Sequence, residues 1–70
     1  MKAYTVIGYL DLFSIHSVLE HVNATTSLQA EDLVRTKLRN TNEEYRAATD
    51  EGEEPMTVIA VFNGHLNEND

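Results

Sequence analysis

The fold of this chain is decided by two apolar stretches, Ala3-Tyr-Thr-Val-Ile-Gly-Tyr-Leu10 and Met56-Thr-Val-Ile-Ala-Val-Phe62. Both are rich in β-branched and aromatic residues, which suit the pleated surface of a sheet, so both predict β-strands. The second stretch is almost continuously apolar, as is typical of a central strand covered on both faces. We expect it beside the first stretch, and a helical crossover before it favours parallel pairing with one of the earlier strands.

The segment between the two stretches predicts a turn, an edge strand and a helix. Residues 11–17 hold turn-forming Asp and Ser, and residues 18–24 alternate as a strand of mixed polarity that suits a sheet edge. Thr26 and Gln29 have the spacing of a capping box, which predicts a helix from Ser27. Its apolar residues recur on one face, at Ala30, Leu33, Val34 and Leu38.

The helical region has two alternative readings after Asn40. The polar cluster Asn40-Thr-Asn42 either bends one helix or separates it from a second short helix over residues 42–48, re-capped by Thr41 and Glu44. Residues 49–55 are a charged connector, and residues 67–70 form an acidic tail that we expect to fray. The order predicts a single α+β domain over residues 1–70, a two-layer ββαβ fold with a three-stranded sheet and the helix on one face.

Composition limits the possible functions. A chain of 70 residues buries only about 60% of its unfolded surface, and with no cysteine there is no disulfide to compensate, so oligomerisation is expected. A formal net charge of −7 opposes direct binding to nucleic acid. No stretch approaches the roughly 20 apolar residues of a membrane span, and the opening Met1-Lys2 runs directly into a strand. These features predict a cytoplasmic protein without membrane contact.

The predicted sheet has more apolar surface than one helix can cover. Strand alternation places Ile7, Tyr9, Ile59 and Val61 on the face opposite Val6, Leu10, Val58 and Phe62. A second copy of the chain is the simplest cover for the exposed set, which predicts a homodimer. The alternative is a monomer in which residues 42–48 fold back as a helix, so that Tyr45, Ala47 and Ala48 cover this face.

Two further features suggest recognition of a protein partner. The first turn contains Leu12, Phe13 and Ile15, which either contact a partner or pack over the end of the core. An acidic surface either is simply solvated or binds a basic partner by imitating the phosphates of nucleic acid, as a protein of a phage or mobile element would. The residues of this surface are Glu43, Glu44, Asp50, Glu51, Glu53 and Glu54.

No catalytic constellation is apparent in the sequence. The histidines His16, His21 and His65 do not have the spacing of a zinc site, and no serine or glycine motif of an enzyme accompanies them. We expect no metal and no cofactor. The predicted function is a non-enzymatic, acidic protein-interaction module, an adaptor or inhibitor of a larger protein, with a small-molecule or metal-binding domain using His21 and His65 as the alternative from another class.

Overall fold

A computed structural model describes residues 1–65 of the chain. The strands are β1 (Lys2–Asp11), β2 (Ile15–Ala24) and β3 (Met56–Asn63), and the helices are α1 (Ser27–Thr41) and α2 (Glu43–Asp50). The strands form one sheet in the order β2-β1-β3, and both pairings with β1 are antiparallel. The predicted α+β class with a three-stranded sheet is therefore confirmed, whereas the predicted frayed tail at residues 67–70 lies outside the described residues.

The last strand lies beside β1, as predicted, but the predicted central position and parallel pairing are wrong. β1 occupies the centre of the sheet, and β3 lies at an edge, antiparallel to β1. Because β2 and β3 are both antiparallel to β1, they run parallel to each other, as expected of strands joined by a helical crossover. However, β1 lies between them, so β3 pairs with β1, which runs in the opposite direction.

The first turn is shorter than the sequence suggested. The ladder between β1 and β2 continues to the pair Asp11 and Ile15, so only residues 12–14 lie outside the strands. Ile15 therefore belongs to β2, where it is exposed, and does not pack over the end of the core. Leu12 packs against the core, whereas the Phe13 side chain is 93% exposed.

Helix α1 begins where the capping pattern predicted. The Thr26 hydroxyl accepts a hydrogen bond from the Gln29 amide at 3.1 Å, and the Gln29 side chain accepts one from the Thr25 amide at 2.6 Å. Thr25 thus replaces Thr26 as the reciprocal partner in the capping box. The helix buries Ala30, Val34 and Leu38 against the sheet, and Leu33 of the predicted stripe lies exposed at its margin.

Asn42 divides the helical region into two helices. Its amide donates to the Leu38 carbonyl at 2.8 Å, which ends α1, and its side-chain oxygen accepts from the Tyr45 amide at 3.0 Å, which begins α2. The predicted re-cap is thus displaced by one residue from Thr41. The Thr41 hydroxyl instead donates to the Lys37 carbonyl within α1.

Helix α2 packs against α1 in the helical layer and does not cover the opposite face of the sheet. Tyr45 is fully buried, in one core with Val6, Val34 and Met56. Its hydroxyl donates to a Glu54 carboxylate oxygen at 2.8 Å, and the same oxygen accepts from the Met56 amide at 3.2 Å. The predicted alternative, in which this segment covers the exposed sheet face, is therefore wrong.

A β-bulge in β3 changes which side chains face the helices. Ile7 pairs with Ala60 and Gly8 pairs with Val58, so Ile59 is an extra residue with no partner in β1. Beyond the bulge the alternation shifts by one position. Val61 consequently packs against the core and Phe62 faces away from the helices, the reverse of the assignment made from sequence parity.

Burial of Tyr45 predicts a stability loss at high pH. Desolvation, together with the hydrogen bond to Glu54, raises the pKa of Tyr45 from 10.0 to about 12. The folded state therefore retains the phenolic proton more strongly than the unfolded chain, and this contributes about 2 to 3 kcal/mol at neutral pH. The contribution is fully present below pH ~10, the unfolded value, and is lost as the pH rises through ~12.

We expect Tyr45→Phe to remove this part of the alkaline destabilisation, measured as the free energy of unfolding in urea between pH 9 and 12. Tyr9→Phe is the matched control, because Tyr9 is only half-buried on the other side of the sheet. An alkaline loss in Tyr45→Phe as large as in the wild type would contradict the assignment.

Candidate functional site

An open cleft of about 420 Å³ lies between the β1–β2 turn and helix α2. We call it the acidic cleft, and its lining residues are Asp11, Leu12, Phe13, Glu44, Ala47, Ala48, Glu51 and Glu53. The structure thus joins two features that were separate in the sequence, the apolar turn and part of the acidic surface. Its volume is within the range of about 300 to 1,000 Å³ that is usual for ligand pockets.

Backbone hydrogen bonds hold the walls of the acidic cleft in place. The Asp11 amide donates to the Pro55 carbonyl at 2.9 Å, which ties the end of β1 to the segment leading into β3. On the other wall, the Glu53 amide donates to the Ala48 carbonyl at 3.0 Å and folds the chain back at the end of α2. The small side chains of Ala47 and Ala48 leave the space open.

The cleft combines apolar surface with uncompensated negative charge. Its apolar groups are Leu12, the exposed Phe13 ring and the two alanines of α2. Its carboxylates are those of Asp11, Glu44, Glu51 and Glu53, and within residues 1–65 none of the four forms an ion pair with a basic side chain. Such a site is chemically suited to a cationic group attached to an apolar one.

The remaining members of the predicted acidic surface have other positions. Asp50 accepts a hydrogen bond from Arg39 at 3.0 Å, and Glu54 lies 3.7 Å from Arg35 while it accepts from Tyr45. These two carboxylates support the packing of α2 and its following turn. Glu43 is exposed in the first turn of α2, outside the cleft lining.

The second candidate surface is the sheet face opposite the helices, which we call the open face. Residues that pair across a ladder share a face, so the register of the three strands defines its members. They are Ala3, Thr5, Ile7, Tyr9, Ser17, Leu19, His21, Asn23, Thr57, Ala60 and Phe62. Ile7 and Tyr9 belong to it as predicted, Val61 does not, and the bulged Ile59 lies 66% exposed beside it.

The histidines at one corner of the open face are brought together by the end of β3. The His21 and His65 rings stack with centroids 5.0 Å apart and planes 15° apart. His65 Nε2 lies 3.2 Å from the Val22 carbonyl oxygen, and since a carbonyl only accepts, this nitrogen is the donor. Gly64, at φ 87°, forms a bend between β3 and His65, and its carbonyl accepts from the Thr5 hydroxyl at 2.8 Å.

His21 and His65 are the two residues that the sequence offered as candidate metal ligands. No group of three or more His, Cys, Asp or Glu side chains that could hold a metal occurs within the described part of the chain. His16 lies far along β2, where its Nε2 is 2.8 Å from the Ser14 hydroxyl. His21 is the ladder partner of Thr5, which is fully buried at this corner of the sheet.

Sequence reasoning missed several residues of both surfaces. From the sequence, Ala47 and Ala48 were considered only as cover for the sheet. The signal that could have indicated a cleft is the small size of these two residues, which lie beside acidic ones. Leu19 and Ala60 of the open face depend on the register, and Phe62 depends on the bulge. A bulge leaves no clear mark in an apolar strand, so nothing in the sequence indicated the change of face.

No protein family, curated protein or solved structure matches this chain. Among residues 1–65, no helix has both the length and the apolarity to cross a bilayer.

Proposed function

We propose that this chain is a non-enzymatic protein-interaction module that binds a basic segment of a larger protein in the acidic cleft, as an adaptor or inhibitor. The observation that carries the proposal is the position of an exposed aromatic ring, Phe13, beside four unpaired carboxylates in one cleft. Exposed aromatic side chains are the usual anchors of protein interfaces. The surrounding carboxylates select a partner of opposite charge and accelerate its association.

The preferred partner segment carries an apolar side chain flanked by lysine or arginine. The apolar groups of the acidic cleft, Leu12, Phe13, Ala47 and Ala48, provide a dry contact for the apolar side chain. Imitation of nucleic acid is less favoured, since it would use a regular carboxylate array without an apolar floor. Here Asp50 and Glu54 are already engaged by Arg39 and Arg35, which breaks up that array.

We also propose that the module is a homodimer, so that one particle presents two acidic clefts. Dimerisation offers the extra burial that a 70-residue chain without disulfides needs. Two linked clefts would also raise the apparent affinity for a partner with repeated basic segments.

The proposal predicts selective binding of an amphipathic cationic peptide. The probe is a 14-residue peptide of leucine and lysine, and the control peptide replaces each leucine with serine at equal charge. We expect at least tenfold tighter binding of the Leu/Lys peptide by calorimetry at 0.15 M salt, because only it fills the apolar part of the cleft. Amide chemical shifts should change at residues 11–13 and 44–53.

Matched variants locate the site. Phe13→Ser should weaken Leu/Lys binding about tenfold at unchanged stability, because the Phe13 side chain is 93% exposed. Glu51→Gln should weaken peptide binding about threefold, as expected for the loss of one charge at the rim of the cleft. Asp32→Asn removes one charge from an exposed position of α1 and should change the affinity by less than about 1.5-fold. Equal affinity for the two peptides, or an unaffected Phe13→Ser, would refute the cleft as the binding site.

A further inference from the structure

We infer that the open face is the docking site for a second copy of this chain, with the two sheets packed face to face. The inference specifies the homodimer included in the proposed function, and it does not depend on what binds in the acidic cleft. The dimer we infer is formed by stacking of the two sheets and not by pairing of their edge strands.

The middle of the open face is apolar, because Leu19, Ile7 and Ala60 lie side by side in one row of the sheet. Phe62 is 44% exposed, and Ile7, Tyr9 and Leu19 are half-buried without any helix above them. Burial of apolar surface contributes about 25 cal/mol per Å², so a face of a few hundred Å² leaves several kcal/mol unrealised. That amount is comparable with the stability of a small domain.

The distribution of charge favours a second copy as the occupant. The chain has a formal net charge of −7, and two copies must therefore repel each other through most of their surface. The open face is the exception, since its rows from Ala3 to Tyr9 contain no Asp, Glu, Lys or Arg, and Asp11 is reached only at the strand end. Glu20, on the other face, is paired with Lys37 of α1 at 2.7 Å.

Sheet stacking also keeps the acidic residues of the two copies apart. Stacked sheets lie about 10 Å apart, and each helical layer lies roughly a further 10 Å out, so the helical carboxylates of the two copies are separated by about 30 Å. The Debye length is about 8 Å at physiological ionic strength, and at this separation the repulsion is largely screened. Partners of different, basic character would gain nothing from an uncharged surface.

Pairing of edge strands is the weaker alternative. The bulge at Ile59 interrupts the outer edge of β3, and bulges of this kind discourage addition of another strand. The edge of β2 is regular, but a dimer through that edge would leave both open faces exposed in one wider sheet. Only face-to-face packing removes the apolar surface that requires a partner.

The size of the open face sets the expected affinity. Three strands about 4.8 Å apart and seven residues at about 3.3 Å each give a projected area of roughly 330 Å² per copy. With its side-chain relief, the pair would bury about 700 to 1,000 Å² in total, below the standard size of about 1,600 Å². We therefore expect a dimer with a dissociation constant in the micromolar range.

Sedimentation equilibrium from 5 to 500 μM protein at 0.15 M salt tests the inference. We expect a monomer–dimer equilibrium for the wild type. Thr57→Lys and Phe62→Lys should raise the dissociation constant at least tenfold, because each places two charges in an uncharged interface. Thr57 is already exposed on the monomer, so Thr57→Lys should keep the wild-type circular dichroism spectrum and melting temperature at low concentration.

Leu28→Lys is the control, since it adds the same charge at a 66% exposed leucine on α1 and should change the dissociation constant less than twofold. A wild type that remains monomeric at 500 μM would overturn the inference. A dimer that persists in both Thr57→Lys and Phe62→Lys would also overturn it and would favour the β2 edge. Peptide binding by monomeric Thr57→Lys is measured separately, so failure of the dimer and failure of the cleft are distinguishable.

Discussion

Tyr45→Ala is expected to lower the free energy of unfolding by about 3 to 5 kcal/mol, the range for removal of a large buried aromatic side chain. The ring is 0% exposed, and it connects α2 with the core formed by α1 and the sheet. The substitution would also remove the hydroxyl that donates to Glu54 at 2.8 Å. Since one core of this size seldom provides more than about 3 to 5 kcal/mol, we expect the variant to be largely unfolded.

Urea denaturation followed by circular dichroism measures this effect, at protein concentrations low enough to suppress self-association. Tyr9→Ala is the matched control, because it removes the same side chain from a half-buried site on the open face and should cost about 1 kcal/mol. Equal transitions for the two variants would contradict the docking of α2 through Tyr45.

Gly8→Ala is the second substitution with a large expected effect. A Cβ at this position would lie 2.3 Å from the Thr57 carbonyl oxygen and 3.2 Å from the Val58 Cα, both in the backbone of β3. The clash cannot be relieved by rotating a side chain, so β1 and β3 must separate at the bulge. We expect a loss of about 2 to 3 kcal/mol, the upper part of the range for overpacked sites.

Gly52→Ala is a useful comparison because Gly52 has φ +89° and nothing within 4 Å of a built Cβ. It tests backbone strain without a clash, for which we expect about 1 to 2 kcal/mol. Urea denaturation ranks the two variants, and amide shifts should show the disturbance of Gly8→Ala at residues 57–60. A smaller loss for Gly8→Ala than for Gly52→Ala would mean that β3 does not approach Gly8 closely.

Local features were predictable because their causes are local. The start of α1 follows from the side chains of Thr25, Thr26 and Gln29, which satisfy one another and the first helical turn. The stripe of Ala30, Val34 and Leu38 follows from helical periodicity and marks the face that packs on the sheet. The second helix was left open because Asn42 serves equally well as the end of one helix and the cap of the next.

The candidate sites were only partly predictable, since both depend on contacts between distant segments. The apolar turn and the acidic residues were each recognised, but their union in one cleft depends on the return of α2 along α1. The same packing engages Asp50 and Glu54 with arginines of α1 and removes them from the predicted surface. Proximity of His21 and His65 was considered from the sequence, and the turn at Gly64 produces their stacking.

By itself, the sequence determined the types of the elements, the start of α1, the helix face that enters the core and the excess of apolar strand surface over helical cover. These properties arise from neighbouring residues or from totals that do not depend on topology. The tertiary structure alone decided that β1 is central, that α2 lies with α1, and that Val61 and Phe62 exchange faces. The physical reason is that the strand order, the bulge at Ile59 and the close approach of Thr57 and Val58 to Gly8 result from pairing between segments about 50 residues apart. In such a pairing, one inserted residue reverses the face of every side chain beyond it.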